Sequence, residues 1–287
     1  MRNRIIFFSG GKASFLVAHW VKENFPQDNI ILYFTDTKWE DEDLYRFIHE
    51  ASVKMELPLL IHANGMTPLD LMRKNNFIYN SRIARCSIDL KVIVASKFLR
   101  KGKKPQHEEW VNKQYLKSEN LLDNPVLYFG IGFSEVHRTK AIIKNWQPFE
   151  TEFPLVDNFI NEKEILNFYN IKQPRLYDMG FAHNNCKGRC VKGGQGHYLH
   201  LLKTDYVSFV ELRDFEQTMN KIINTKNGTT DVKYAIMKKK GEPYFLQELE
   251  DDFKNQPQQI DMFEFGGCDC FIEDDLDMEE INIELEL

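Results

Sequence analysis

Apolar residues follow two alternating rhythms along the first part of the chain. Short apolar runs at Arg4 to Phe8, Ile30 to Phe34, Leu59 to His62 and Val126 to Gly130 read as strands. Between them, amphipathic stretches at Ala13 to Asn24, Glu42 to Met55, Pro68 to Asn75, Leu90 to Arg100 and Val136 to Trp146 read as helices. Strands separated by helical runs imply parallel pairing through right-handed crossovers. The expected fold class is therefore α/β, a Rossmann-like parallel sheet with helices on both faces. Lys101 to Asn124 is polar and poorly periodic, and reads as a surface insertion. Lys163 to Tyr169 reads as a short helix, Cys186 to Gly196 as a glycine-rich basic loop, and Tyr206 to Ile223 as a helix. Asn224 to Thr230 then looks like a linker, and Val232 to Met237 a short strand. The division this suggests is a nucleotide-binding domain over 1–180 and a cysteine-containing C-terminal region over 181–287.

The sharpest local signal sits between the first strand and the first helix, at Ser9-Gly10-Gly11-Lys12-Ala13-Ser14. Glycines let backbone N–H groups approach an anion, and a helix N-terminus adds the positive end of its dipole. Ser9, Lys12 and Ser14 supply side-chain donors. The spacing is not that of a Walker loop, which places four residues between its first Gly and Gly-Lys-Ser/Thr. A tight βα connection with no ligand is the plain alternative.

Three further segments resemble one family in the same order. Thr35-Asp36-Thr37-Lys38-Trp39-Glu40 follows the second strand. Arg82-Ile83-Ala84-Arg85-Cys86-Ser87-Ile88-Asp89-Leu90-Lys91 precedes a helix. Gly130-Ile131-Gly132-Phe133-Ser134-Glu135-Val136-His137-Arg138 follows a later strand. With the Ser9 turn, these resemble the PP-loop superfamily, in particular its phosphoadenosine phosphosulfate (PAPS) reductase-like branch. The resemblance covers about the first half of the chain. Ala13 stands where that branch carries Asp, and Lys38 where it carries Gly. The resemblance implies an adenine nucleotide such as ATP as ligand. Ser9, Gly10, Gly11, Lys12 and Ser14 would hold its phosphates, and Asp36 or Thr37 would reach the ribose or base. Arg82, Arg85, Lys91 and Arg138 would offset anionic charge. Glu40 and Glu135 are candidate Mg²⁺ ligands or acid/base groups, since Mg²⁺ is usually brought in with phosphates and few carboxylates.

The five cysteines raise a second chemistry. Cys186 and Cys190 flank Lys187-Gly188-Arg189, and Cys268 and Cys270 follow Gly266-Gly267. Two short pairs on glycine-bearing loops suggest four thiolates around one metal, with Zn²⁺ and an iron–sulfur cluster both compatible. His183 or His197 could replace one ligand, and free thiols are the alternative. Cys86 lies between Arg82, Arg85 and Lys91, where positive neighbours favour a thiolate nucleophile. It could equally be a cluster ligand or a small buried residue. Cys86 and Lys12 are the candidate catalytic residues. The C-terminal cysteines lack the Glu-Cys-Gly-x-His-like motif of PAPS reductases, which argues against a plain thioredoxin-coupled enzyme.

Composition narrows the setting. The chain has 287 residues, 43% of them hydrophobic, enough for a sizeable core. No apolar run approaches the roughly 20 residues of a membrane span. Met1-Arg2-Asn3-Arg4 leads directly into a strand, without the pattern of a signal peptide. A cytoplasmic protein with no membrane partner is expected. The formal net charge is −6, yet Lys91 to Lys104 is basic and the stretch Glu273 to Glu286 acidic. A local basic face could contact nucleic acid, and a solvated helix end is the alternative.

The resulting expectation is an enzyme that adenylates a second substrate for sulfur transfer, with nucleic acid a candidate substrate and a protein a candidate sulfur donor. Its alternatives are a sulfonucleotide (PAPS/APS) reductase, and a non-catalytic nucleotide-binding or nucleic-acid-binding module.

Overall fold

The structure is a computed structural model and describes residues 1–255. Six strands form the central sheet: β1 (Asn3–Phe7), β2 (Asn29–Thr35), β3 (Leu59–Ala63), β4 (His107–Val111), β5 (Val126–Tyr128) and β6 (Glu150–Glu152). Their order is β4-β3-β2-β1-β5-β6. All neighbouring pairs are parallel except β3 with β4. From β1 the chain moves outward to β2 and β3, then returns to β5 on the other side. The strand order therefore switches between β1 and β5, where ligands of open α/β sheets bind beyond the C-terminal strand ends.

Helices cover both faces. The helices are α1 (Lys12–Asn24), α2 (Glu42–Met55), α3 (Pro68–Asn75), α4 (Ile93–Lys101), α5 (Thr139–Trp146) and α6 (Glu162–Tyr169). Successive strand residues point to opposite faces. Ile6, Phe8, Leu32 and Phe34 accordingly join Phe15, Val17, Phe47 and Ile48 in one core layer. Ile5, Phe7, Ile31 and Tyr33 join Phe98 and Trp146 in the other. Phe7 stacks on Phe129 at a ring distance of 4.6 Å.

A third core joins early and late segments. Leu69, Met72, Tyr79 and Leu90 pack with Leu176, Tyr198, Phe209 and Leu246. Leu176 comes from a short helical turn at Arg175–Asp178 and the other later residues from α7 (Gln195–Thr204), α8 (Tyr206–Asn227) and α9 (Leu246–Asn255), with a small hairpin of β7 (Met237–Lys239) and β8 (Glu242–Tyr244) beside them.

Several elements differ from the sequence expectation. The stretch 101–124 is not only a surface insertion: it contains β4, which adds an antiparallel edge to the sheet. Its apolar signal is weak because none of its residues is fully buried and Glu108 is spent on His62. β6 escaped notice because Glu150-Thr151-Glu152 carries no apolar residue. Helix α8 continues through the expected linker to Asn227 and stops at Gly228, whose φ of +65° ends it. The expected strand at 232–237 begins only at Met237. Among the described residues, no helix is long and apolar enough to cross a membrane.

Candidate functional site

The turn between β1 and α1 is shaped by close contacts. Gly10 has φ +76°, and a Cβ there would lie 2.7 Å from Leu44 Cγ, so a side chain is excluded both by conformation and by space. Gly11 is the N-cap of α1 and supplies no side-chain cap. The first turn of α1 also holds no acidic residue, so its positive end is left uncompensated by sequence. Ser14 Oγ donates to the Gly11 carbonyl (2.9 Å) and lies 3.3 Å from Ser9 Oγ. Gly130, after β5, is packed against this turn: a Cβ on it would lie 2.8 Å from Ser14 N. Ser9, Gly10, Gly11, Lys12 and Ser14, contiguous in the chain, thus lie at the strand-order switch with Gly130 packed against them.

The turn is partly engaged with other protein groups. The Lys12 amide donates to Tyr177 Oη (3.3 Å), and the Lys12 ammonium lies 4.2 Å above the Tyr177 ring. Lys12 Nζ also pairs with Glu162 Oε1 at 2.8 Å. Asp36 is buried, accepting from the Lys38 amide and the Tyr45 hydroxyl (2.8 Å each) and pairing with Lys38 Nζ (2.9 Å). Burial, reinforced by Asp36, pushes the Tyr45 hydroxyl pKa up, so Tyr45 remains a donor to this carboxylate.

Glu40 is the junction of the site. Its side chain is almost wholly buried. Oε1 accepts from Thr37 Oγ1 (2.9 Å) and faces Lys91 Nζ at 3.6 Å. Oε2 accepts from the Cys186 amide at 2.5 Å. One carboxylate therefore ties the loop after β2, the cysteine loop and the segment containing Cys86. That last segment is helical: a short turn at Arg85–Ser87, a π-helical turn at Ile88–Val92, and then α4. Widened turns of this kind often accompany functional sites. Lys91 lies on it and is 3% exposed, which is not the solvated helix face that a basic stretch suggests.

Cys86, Cys186 and Cys190 line one small recess with Thr37, Trp39 and Lys91. Its volume is about 20 Å³, room for one water-sized occupant. Arg189 lies 3.5 Å from the centre of the Trp39 ring and pairs with Glu211. A hydrogen bond with Cys190 pushes the Cys186 thiol pKa up, and burial and Glu40 act in the same direction. His183 and His197 stack nearby with rings 5.4 Å apart. Burial lowers their pKa values to about 3 and about 4, so both are neutral imidazoles at pH 7. His197 Nε2 donates to the Gly188 carbonyl at 2.7 Å.

Two thiols in contact are soft donors suited to Zn²⁺ or an iron–sulfur centre. Among the described residues, however, no group of three or more His, Cys, Asp or Glu side chains is arranged to hold a metal. Cys268 and Cys270 lie outside the described residues. Arg85 and Arg138 carry carboxylate partners, Asp89 at 3.3 Å and Glu135 respectively. Arg82 is exposed.

Sequence reasoning missed Asn184. Its Nδ2 donates to the Gly10 carbonyl at 3.1 Å, while its buried Oδ1 has no hydrogen-bond partner. Tyr177 and Glu162, which meet Lys12, were also missed. A contact between positions so far apart in sequence leaves no local pattern to read.

No protein-family model matches the chain, and no curated protein does either. Among solved structures, the chain is similar to a phosphoadenylyl-sulfate (PAPS) reductase from Candida auris, determined as a phosphate complex. The likeness covers 62% of this chain and 78% of that one, at 12% identity and a TM-score of 0.40.

Proposed function

We propose that this chain is a PAPS reductase-like PP-loop enzyme that binds an adenine nucleotide at the Ser9–Ser14 turn and acts beside the thiol recess. The observation that carries this reading is the double latch between the two places. Asn184 holds the Gly10 carbonyl, and the Cys186 amide is held by Glu40. A nucleotide at the turn would therefore lie beside Cys86, Cys186 and Cys190. The four-segment resemblance described above supports the choice of an adenine nucleotide.

The chemistry we assign is adenylation followed by sulfur transfer. An acceptor oxygen would attack the α-phosphorus of ATP. The bond to the bridging oxygen would break, and pyrophosphate would leave with the electron pair. The turn amides, Ser9, Ser14 and the Lys12 ammonium would stabilise that leaving group. Lys12 would have to exchange Glu162 for the phosphate. Arg85, Lys91 and Arg138 would compensate remaining charge, Asp36 and Thr37 would face the ribose, and Mg²⁺ would accompany the phosphates. Cys86, at the rim of the recess, would take the outer sulfur of a donor-protein persulfide; that sulfur would attack the adenylated carbon, AMP would leave with the C–O electron pair, and an external thiol would reduce the resulting disulfide to release the thiolated product. Cys186 and Cys190 would supply half of a four-ligand zinc or iron–sulfur site, with Cys268 and Cys270 completing it. Bound there, the metal would cross-link the loop and favour the thiolates. Nucleic acid is the second substrate we favour, in the cytoplasm.

Calorimetric titration with ATP, followed by a pyrophosphate-release assay with candidate acceptors, tests the reading. Nucleotide binding lost in Ser9→Ala/Ser14→Ala with unchanged melting supports it. Sulfite release from PAPS and a thiol would assign the sulfonucleotide reductase instead. Nucleotide affinity without either product would leave a binding module. No affinity for adenine nucleotides would refute the proposal.

A further inference from the structure

A second recess of about 210 Å³ opens at the C-terminal end of β3, lined by Asn64, Asp89, Lys97, Lys103, Lys104 and Gln106. β3 is two strands away from β1, so at about 4.8 Å per strand this recess lies roughly 10 Å along the sheet edge from the Ser9 turn. Its volume is far above the roughly 10–15 Å³ that one water needs. A tetrahedral oxyanion fits there.

Three lysines line this recess together with one carboxylate, Asp89, and each nearby carboxylate already has a cation. Asp89 pairs with Arg85 at 3.3 Å. Glu108 holds Lys104 through Oε1 (2.7 Å) and His62 through Oε2 (3.1 Å). Among the described residues, Lys97 and Lys103 have no carboxylate within ion-pair distance. The turn is also built to admit Gln106. Gly65 has φ +89°, and a Cβ on it would come 2.5 Å from Gln106 Oε1. Asn64 is fixed by its own contacts, donating to the Asp89 carbonyl (3.4 Å) and accepting from the Met66 amide (2.9 Å). The same helical segment serves both recesses. Cys86 and Lys91 line the thiol recess, and Lys97, eleven residues after Cys86, lines this one, about 16 Å further on at 1.5 Å per residue.

We infer that Lys97 and Lys103, assisted by Lys104, Asn64 and Gln106, form a phosphate-ester binding site separate from the Ser9–Ser14 turn. Lysine recognises phosphate as a compact point charge with several rotatable donors, which suits a doubly or singly charged ester without a fixed bidentate geometry. The ester is a backbone phosphate of a polynucleotide or a phosphate of a mononucleotide. The site does not depend on what the turn binds.

The test uses the full chain and two probes, a fluorescein-labelled single-stranded oligonucleotide followed by anisotropy, and ATP followed by calorimetry. In Lys97→Ala/Lys103→Ala, oligonucleotide affinity should fall at least tenfold at moderate salt. The slope of log affinity against log salt should shrink by about 1.4, at about 0.7 per phosphate contact. Lys97→Arg/Lys103→Arg should retain binding, and thermal melting should not change in either variant. Lost oligonucleotide binding with ATP affinity intact identifies the polynucleotide source. Loss of a second ATP site in the titration, with oligonucleotide binding intact, identifies the mononucleotide. Variants that bind both probes as the parent does would overturn the site, and so would a parent chain that binds neither. Ser9→Ala/Ser14→Ala serves as the separate control for the turn.

Discussion

Replacing Glu40 by Gln tests whether one buried carboxylate organises the site. The change is nearly isosteric, so packing is preserved while chemistry is altered. Glutamine keeps one acceptor oxygen and turns the other into an NH₂ donor. If the oxygen stays toward the Cys186 amide, the NH₂ faces Lys91 Nζ and the Thr37 hydroxyl. If it flips, the NH₂ meets the Cys186 N–H instead. A charge-assisted hydrogen bond contributes about 1.5–3 kcal/mol. Removing one partner of a buried ion pair costs about 3–5 kcal/mol, with the 3.6 Å separation from Lys91 placing this pair at the weak end. We expect a loss of about 2–4 kcal/mol in all, or a fall in Tm of about 5–15 °C at 2–4 °C per kcal/mol. Urea unfolding measures the first figure and calorimetry the second. Glu40→Gln/Lys91→Met should recover part of the stability, because it removes the charge that lost its carboxylate. The latch on Cys186 would stay weakened in both variants. Alkylation of Cys186 by iodoacetamide, read by mass spectrometry, should therefore accelerate about 5–30-fold. Stability within about 0.5 kcal/mol of the parent, the scatter of ordinary surface changes, together with unchanged alkylation, would refute the junction.

Other expectations follow from individual contacts. Gly10→Ala places a Cβ against Leu44 at a positive φ, and should destabilise by about 2–4 kcal/mol and abolish nucleotide binding, read by denaturation and calorimetry. Glu216 is buried and accepts from the Ile236 and Leu246 amides (2.7 Å each), and burial raises its pKa to about 7 from an ordinary 4.5. The folded state then holds a proton that the unfolded state releases, so this contribution is complete below pH 4.5 and is lost as pH rises through 7. Glu216→Gln should flatten that slope in unfolding free energies measured between pH 5 and 7, and an unchanged slope would show that Glu216 does not set it. Cys186→Ser/Cys190→Ser should remove bound zinc or iron from anaerobically purified protein, read by metal analysis, and retention of the full metal content would rule out these ligands.

The framework of the sheet was legible in the chain because its central strands are almost wholly apolar, as with Ile30 to Phe34. The edge strands were not, since His107–Val111 and Glu150–Glu152 are half-solvated and carry glutamates where an apolar signal would be needed. The turn at Ser9 to Ser14 was visible because its chemistry is contiguous in sequence. Cys86 meeting Cys186 and Cys190 could be suspected only separately, since their proximity depends on how the later helices fold back onto α3 and Leu90. Glu40 was visible as an acid but not as a junction, because two of its three partners, Lys91 and Cys186, come from distant segments.

The two borders of the sheet bear on self-association. A sheet border exposes unpaired backbone donors and acceptors that can recruit another chain. Here one border is β4, with Glu108 and Glu109, and the other is β6, only three residues long, with Glu150 and Glu152. Glu108 and Glu150 are held by Lys104 and Arg2, but two such borders brought together in different copies would still bring Glu109 and Glu152 close, and the shorter could offer few ladder bonds in return. The same glutamates that hid these strands from the hydrophobic pattern thus act as a barrier to fibre-like stacking. A chain with those positions neutralised should aggregate more readily while keeping its fold.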